Sequence, residues 1–202
     1  MFKKQIDTSQ FIHDLLATRW SGRAYDPGRP VTRAQLLSLL EAARWAPSCF
    51  GDQPWRVMVW DRVNDPANWQ RAFAALAEGN QSWAAAAPIL LLASADSVLT
   101  ANGSPNRWGP YDTGAAMMSL CIQATSLGLM VHQMGGFEPE RIRAEFAIPE
   151  RYSPMAMATI GYQLPESAIP ADMKEREFAP RRRRALGENF FESGWEVPVR
   201  TL

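Results

Sequence analysis

"APSCFGDQPWRVMVW", residues 46–60, stands just after a well-made amphipathic stretch. Small, polar and proline residues follow that stretch, and the chain then turns apolar again. Ser48, Cys49, Gly51, Asp52 and Gln53 are thereby gathered between a helix and a strand. A loop of this composition either connects, or holds hydrogen-bonding groups up to a flat, polar ligand. Its flanks are legible. Thr32 to Trp45 reads as a helix, with Thr32 and Gln35 as capping box and Val31 and Leu36 as hydrophobic staple. Leu36, Leu37, Leu40 and Ala43 make its buried stripe, and Pro47 ends it. "RVMVW" then reads as a buried strand, and "PILLLAS" as another.

Working outward, residues 7–20 carry Phe11, Ile12, Leu15 and Leu16 at helical spacing, with Asp7 and Gln10 as a capping box. "DSVLTANGSPNRWGPY", 96–111, is a Gly/Pro/Asn-rich loop long enough to be functional, with Trp108 and Tyr111 at its end. From Asp112 to Leu127 a helix is expected that is apolar on nearly all sides, Ala116 and Met118 included. A helix without a polar face is buried all round, in a domain centre or in a dimer interface. Gly128 fits the residue just past its end. "LMVHQMGGF" gives a strand opening into a double glycine, and Pro139 starts a helix with Ile142 and Phe146 inward. "MAMATIGY" is a further strand. No repeat or linker interrupts the chain, and helices and strands alternate irregularly. The expectation is one α+β domain over residues 1–202.

Composition narrows the function. The 202 residues include 21 basic and 21 acidic ones, so no global charge speaks for nucleic acid or a membrane surface. The most apolar run, 84–95, is broken by Pro88 and too short to span a bilayer. The N-terminus lacks the apolar core of a signal peptide, and Cys49 and Cys121 match no metal-ligand spacing, so a reduced cytoplasmic protein is expected. Eight tryptophans need a large core, a subunit interface, or a ring-shaped ligand. There is no G-x-G-x-x-G, no P-loop and no G-x-S-x-G, and His13 and His132 are isolated.

Three segments remain. In "TRWSGRAY", 18–25, an extended chain would point Arg19, Ser21 and Arg23 to one side and Trp20 and Gly22 to the other. Two guanidinium groups and a hydroxyl suit a phosphate and a polar ring edge; alone, the segment also reads as a solvated basic turn. "RRRR", 181–184, reads as a solvated or phosphate-facing loop, or as a nucleic-acid patch. The third is 47–55 together with "QMGGF", where Gly135 and Gly136 permit backbone N–H groups to approach a planar ligand.

In this order the segments resemble the FMN-dependent nitroreductase family. "TRWSGRAY" is similar to its opening R-x-S-x-R/K element. "LLSLLEAARWAPSCFGDQPWRVMV" resembles its helix, A-P-S turn and Q-P-W; "YDTGAAMMSLCIQATSLGL" its long central helix; "MGGFEPERIRAEFAIPERYSPMAMATIGY" its flavin-facing loop, helix and closing strand. "RRRRALGE" stands where that family has its C-terminal phosphate-binding pair. The resemblance implies a mainly antiparallel sheet flanked by helices, in an interlocked homodimer with FMN at the interface. It implies an NADH- or NADPH-dependent, ping-pong oxidoreductase whose acceptors are nitroaromatic, quinone-like or other electron-poor small molecules; dehalogenation, enone reduction and flavin destruction are other chemistries of the fold. It implies Arg19, Ser21, Arg182 and Arg184 at the phosphate and Arg23 near N1 and O2. Ser48, Gly51, Gln53, Met134, Gly135 and Gly136 would border the ring, with Trp108 and Tyr111 as a substrate lid. Gly51 stands where the family often has an asparagine. The chemistry is then the cofactor's, which is why no catalytic triad is found.

Overall fold

The computed structural model describes residues 2, 4 and 6–200. Its helices and strands follow in the order α1 (Asp14–Thr18), α2 (Arg33–Arg44), β1 (Trp55–Asp61), α3 (Pro66–Phe73), α4 (Glu78–Ala84), β2 (Ile89–Asp96) and α5 (Gly109–Ser126). Then come β3 (Met130–Met134), α6 (Pro139–Glu145), β4 (Tyr152–Gly161), α7 (Ala171–Phe178) and α8 (Leu186–Asn189). The sheet has the order β1-β2-β4-β3 and every pairing is antiparallel. This is the α+β architecture expected.

β2 is central, and all its residues are buried. Successive side chains enter opposite layers, as the period of two requires. Ile89 and Leu91 join Leu36, Leu39, Met117 and Leu120 under α2 and α5. Leu90 and Leu92 join Trp20, Trp60, Trp69 and Trp83 on the other face. Half of the tryptophans are therefore core. β1 is an edge strand, and within it only Trp60 is buried, not the whole of "RVMVW". The strand is apolar because it packs on both faces, Trp55, Val57 and Val59 under α2 and α5 and Met58 and Trp60 on the other side, but at the edge of the sheet its side chains are covered only in part.

α2 has the capping box as read: Thr32 Oγ1 accepts from the Gln35 amide at 3.2 Å, and Gln35 Oε1 accepts from that of Thr32 at 3.1 Å. Its buried stripe is Leu36, Leu39 and Ala43, whereas Leu37 is 48% exposed. Position 37 lies about a quarter turn from 36, on the side facing away from α5. The first helix is much shorter than 7–20. It begins at Asp14, where His13 Nδ1 accepts from the Leu15 amide, and the Asp7–Gln10 capping box does not form. Phe11 is 90% exposed; nothing within the protomer covers it, and a short helix without packing does not propagate.

α5 starts three residues earlier than read, taking in Tyr111, with Trp108 as its cap. Within one protomer it is not buried all round. Ala116, Leu120 and Ala124 face the core, while Tyr111 and Met118 are exposed. Ala116 is fully buried in its own protomer, so it reports on the core and not on an interface. Gly128 closes the helix with φ 71: its amide bonds Thr125 O and the Leu129 amide bonds Ala124 O, the paired Schellman bonds. Among the described residues no helix is long and apolar enough to cross a membrane.

At the end of β2, Asp96 is 1% exposed and is held by Arg151 at 3.0 and 2.5 Å and by the Val98 amide. Burial alone would raise its carboxyl; the Arg151 hydrogen bonds and the Val98 amide hold it below the ordinary carboxylate value. A depressed carboxylate contributes stability that is complete above its unfolded pKa, about 3.9, and is lost as pH falls through the lower folded value. Asp96→Asn should therefore cost about 1.5–3 kcal/mol at neutral pH and flatten the acid arm of the stability curve below about pH 4. Denaturant melts of both proteins between pH 2 and 7 test this.

Candidate functional site

Residues 19–24 run extended beside β3 and the end of β4, and alternate strictly. Trp20, Gly22 and Ala24 are buried, while Arg19, Ser21 and Arg23 open on one side. The inner face is tight: a Cβ on Gly22 would lie 2.3 Å from Met130 Sδ and 2.9 Å from the Trp20 ring, so a larger residue there would have to displace them. Tyr25 anchors the end, its hydroxyl 2.8 Å from Thr159 Oγ1.

The backbone of this segment belongs to no strand, and its polar groups are met one by one. His132 Nδ1 donates to Gly22 O at 3.1 Å, since a carbonyl can only accept. The Arg23 amide donates to Glu177 Oε1 at 2.8 Å. Arg181 donates to Arg19 O at 2.7 Å and to Ala17 O and Lys4 O at 2.5 Å. Leu164 N bonds Ala24 O, and Asp26 N bonds Tyr162 O.

The outer side lines two adjoining cavities of about 270 and 440 Å³ that share Arg23, Arg176 and Glu177. The first is bordered by Arg19, Ser21 and His132 and, among the described residues, by six basic side chains: Lys4, Arg19, Arg23, Arg176, Arg181 and Arg183. Glu177 is the one carboxylate among its described residues. Burial pulls Arg23 and Arg181 down, and like charges add to it: Arg176 acts on Arg23, and Arg19 and Arg183 on Arg181. Crowded cations of this kind are relieved by an anion. Burial also lowers His132, which keeps it neutral; its ring packs 4.5 Å from Trp83, over which Arg23 stacks at 5.3 Å. Of the four-arginine run, Arg181 and Arg183 border the cleft; Arg182 and Arg184 are exposed outside it.

The second cavity reaches α4 through Gly79, Ser82 and Trp83. Asn80 of the same helix donates from Nδ2 to Gly136 O at 2.8 Å, and the Ala77 amide to the same oxygen at 3.0 Å. A Cβ on Gly136 would meet Asn80 Nδ2 at 2.7 Å, while the space about Gly135 is open. Met134 is 4% exposed, its side chain in the tryptophan-rich core, so its backbone alone borders the glycine pair.

Ser48, Gly51 and Gln53 stand together elsewhere, in the loop before β1. Ser48 Oγ accepts from the Gln53 amide at 3.0 Å, Asp112 Oδ2 from that of Cys49 at 3.0 Å, and Asp52 Oδ1 from that of Thr100 at 2.8 Å. Phe50, Gly51 and Gln53 all have positive φ. Trp108 meets Phe50 edge-on at 6.4 Å, and Tyr111 is 80% exposed close by on α5. This loop borders neither cavity. His132 shares a row of the sheet with Trp60, three strands away, and Gln53 lies seven residues further along the chain from Trp60. The strand spacings make that roughly 14 Å across and roughly 23 Å along, too far for one flat ring to touch both.

The residues that sequence reading passed over are Lys4, Trp83, Arg176, Glu177, Arg181 and Arg183, and His132 as a cleft residue. Only the arginine run carried a signal, and its register within 181–184 could not be read.

The nitroreductase family model matches residues 16–162. The chain is similar to a solved FMN-containing oxidoreductase, 34% identical, with a TM-score of 0.85 over 94% of this chain and 95% of that one. It is 30% identical to an NADH dehydrogenase of Thermus thermophilus, over 68% of this chain and 80% of the relative. A shorter match, 34% identical over 74 residues, is to the major NAD(P)H-flavin oxidoreductase of Aliivibrio fischeri, over 37% of this chain and 34% of that one. With its opening basic segment, central helix and closing strand all inside the matched region, the chain belongs to the nitroreductase family.

Proposed function

We propose that the chain is an FMN-dependent NAD(P)H oxidoreductase that reduces electron-poor small molecules, nitroaromatic or quinone-like, as a homodimer. The observation that carries this is the crowded cationic cleft along residues 19–23, with, among the described residues, a single carboxylate to six basic groups. The site fits a phosphorylated ring compound. The basic groups suit a phosphate, the buried indole N–H groups of Trp20 and Trp83 have no partner among the described residues, and Gly135 leaves room for a close approach. The names of the FMN-containing neighbour and of the NADH and NAD(P)H-flavin relatives support the same cofactor and donors.

FMN, when bound, supplies a ring that takes hydride from the nicotinamide and passes it to the acceptor. The chain's own part is binding and charge. Arg19, Ser21 and Arg183 would hold the phosphate, with Lys4 close by. Arg182 and Arg184, expected there from the resemblance, would do so only after a rearrangement of the run. Arg23 would sit at the polar ring edge, where a cation favours the electron-rich ring. The Gly135–Gly136 backbone would face the ring from one side.

Gln53 and the backbone of Gly51 are too far away in the same protomer, so the proposal places Ser48, Gly51 and Gln53 of the partner subunit at the ring. Trp108 and Tyr111, beside that loop, would then face the acceptor. Phe11, Leu37, Trp45, Tyr111 and Met118, all exposed, offer the second copy an apolar face.

Purified protein should be yellow and release FMN. Arg19→Ala should weaken FMN binding about 10- to 150-fold, and Arg23→Ala should lower the flavin's reduction potential. A colourless protein that fails to bind added FMN would overturn the reading.

The dimer is tested by sedimentation. Met118→Arg, which puts a charge on the exposed side of α5 without entering the core, should yield monomers that lose FMN. A fully flavin-loaded, active monomer would refute the shared site. Trp108→Ala should change the acceptor KM far more than FMN retention, and an unchanged KM would remove Trp108 from the acceptor's path.

A further inference from the structure

The C-terminal segment, beyond the part of the chain that matches the family model, reaches the 17–24 segment at both ends. At one end is Arg181, with Nη1 on Arg19 O and Nη2 on both Lys4 O and Ala17 O. At the other is Glu177, 2% exposed, with Oε1 on the Arg23 amide. Between them residues 19–23 present their basic face.

We propose that Glu177 and Arg181 are positioning residues, a polar clasp that ties the end of α1 to residues 19–24, holds those residues extended, and so aims Arg19, Ser21 and Arg23 at one ligand. The inference rests on reading the cleft as an FMN phosphate site, but the clasp itself acts on the backbone.

The guanidinium geometry separates clasp from ligand. A guanidinium grips phosphate bidentately through Nε with Nη2, or through Nη1 with Nη2. Both forks need Nη2, and in Arg181 both of its hydrogens are engaged by carbonyls. Arg181 therefore cannot offer a fork without releasing the segment. Arg183, whose one bond among the described residues is from Nη1 to the neighbouring Arg182 carbonyl, keeps the donors a phosphate needs.

Glu177 raises the converse question, because a carboxylate opposes an anion. Burial raises its carboxyl; the Arg23 and Ala24 amides, and then Lys4 and Arg23, pull it back. What it supplies is an acceptor for an amide that no strand partners, since an unmet buried N–H is costly. The role needs an oxygen acceptor and no charge.

That distinction sets the test. Glu177→Gln keeps an acceptor and removes a negative charge, whereas Glu177→Ala removes both. In the flavin-free protein, amide exchange over residues 19–25 should rise about tenfold or more in Glu177→Ala and stay near wild type in Glu177→Gln. FMN affinity, measured by fluorescence titration, should fall about tenfold or more for Ala and be equal or tighter for Gln. Arg181→Lys keeps a charge without the fork, and should lose FMN affinity to within about threefold of Arg181→Ala. The clasp is refuted if Gln is as impaired as Ala, if exchange is unchanged in Glu177→Ala, or if Arg181→Lys recovers most of the affinity. A wild type that binds no FMN would defeat the flavin reading alone, because the exchange comparison still decides the clasp.

Discussion

The site depends on a short extended segment held by side chains and not by a strand. Residues 19–24 lie beside β3 and the end of β4, yet their backbone is met by His132, Glu177, Arg181 and the amide of Leu164. An extended chain alternates its side chains, so fixing the inner face fixes the outer one. Trp20 and Gly22 go in against Met130, and Arg19, Ser21 and Arg23 are left facing the cleft. The concentration of charge is costly unless the cations are held apart from the core and close to an anion. The surrounding indoles and the neutral His132 supply the first condition.

The sheet order supplies the second constraint. β1 and β3 are its two edges, so the loop before β1 and the basic segment beside β3 are separated by the sheet's width. Within the chain these are two separate clusters: one with cations and a glycine pair, one with a rigid loop and aromatic side chains. On the reading proposed above, a second copy would bring the two together. The exposed apolar side chains of α2 and α5 are the face that such a copy would cover.

What was legible in the sequence is what depends on local pattern. The Thr32–Gln35 box, the Gly128 end, the Trp20/Gly22 alternation and the apolar β2 are set by neighbours a few residues away. The misread parts depend on distant ones. Phe11, Ile12 and Leu16 have helical spacing but nothing in the protomer to bury against, so the helix shrinks to Asp14–Thr18. Leu37 is as apolar as Leu39 and differs only in which side of α2 meets α5. Four identical arginines carry no register; Arg181 is singled out by carbonyls of Lys4, Ala17 and Arg19, far away in the chain. Glu177 looks like any acid on a polar helix until α7 is laid over the Arg23 amide.

The loop quoted at the outset keeps its polar character for a reason visible in its backbone. Phe50 at φ 55 and Gln53 at φ 50 are conformations that cost of order 1–3 kcal/mol each and persist only where surroundings enforce them. Here Asp112 holds the Cys49 amide, Ser48 that of Gln53, and Asp52 ties the turn to Thr100 and Asn106. Gly51 lies within this run at φ 67, a region that glycine enters freely and that asparagine tolerates better than most residues. Glycine and asparagine at this position therefore share a backbone shape and differ in one amide group. The chain keeps the shape of the loop and drops the side chain; with the amides of Cys49, Gly51, Asp52 and Gln53 engaged within the fold, the Gln53 side chain is the donor a ligand would meet there.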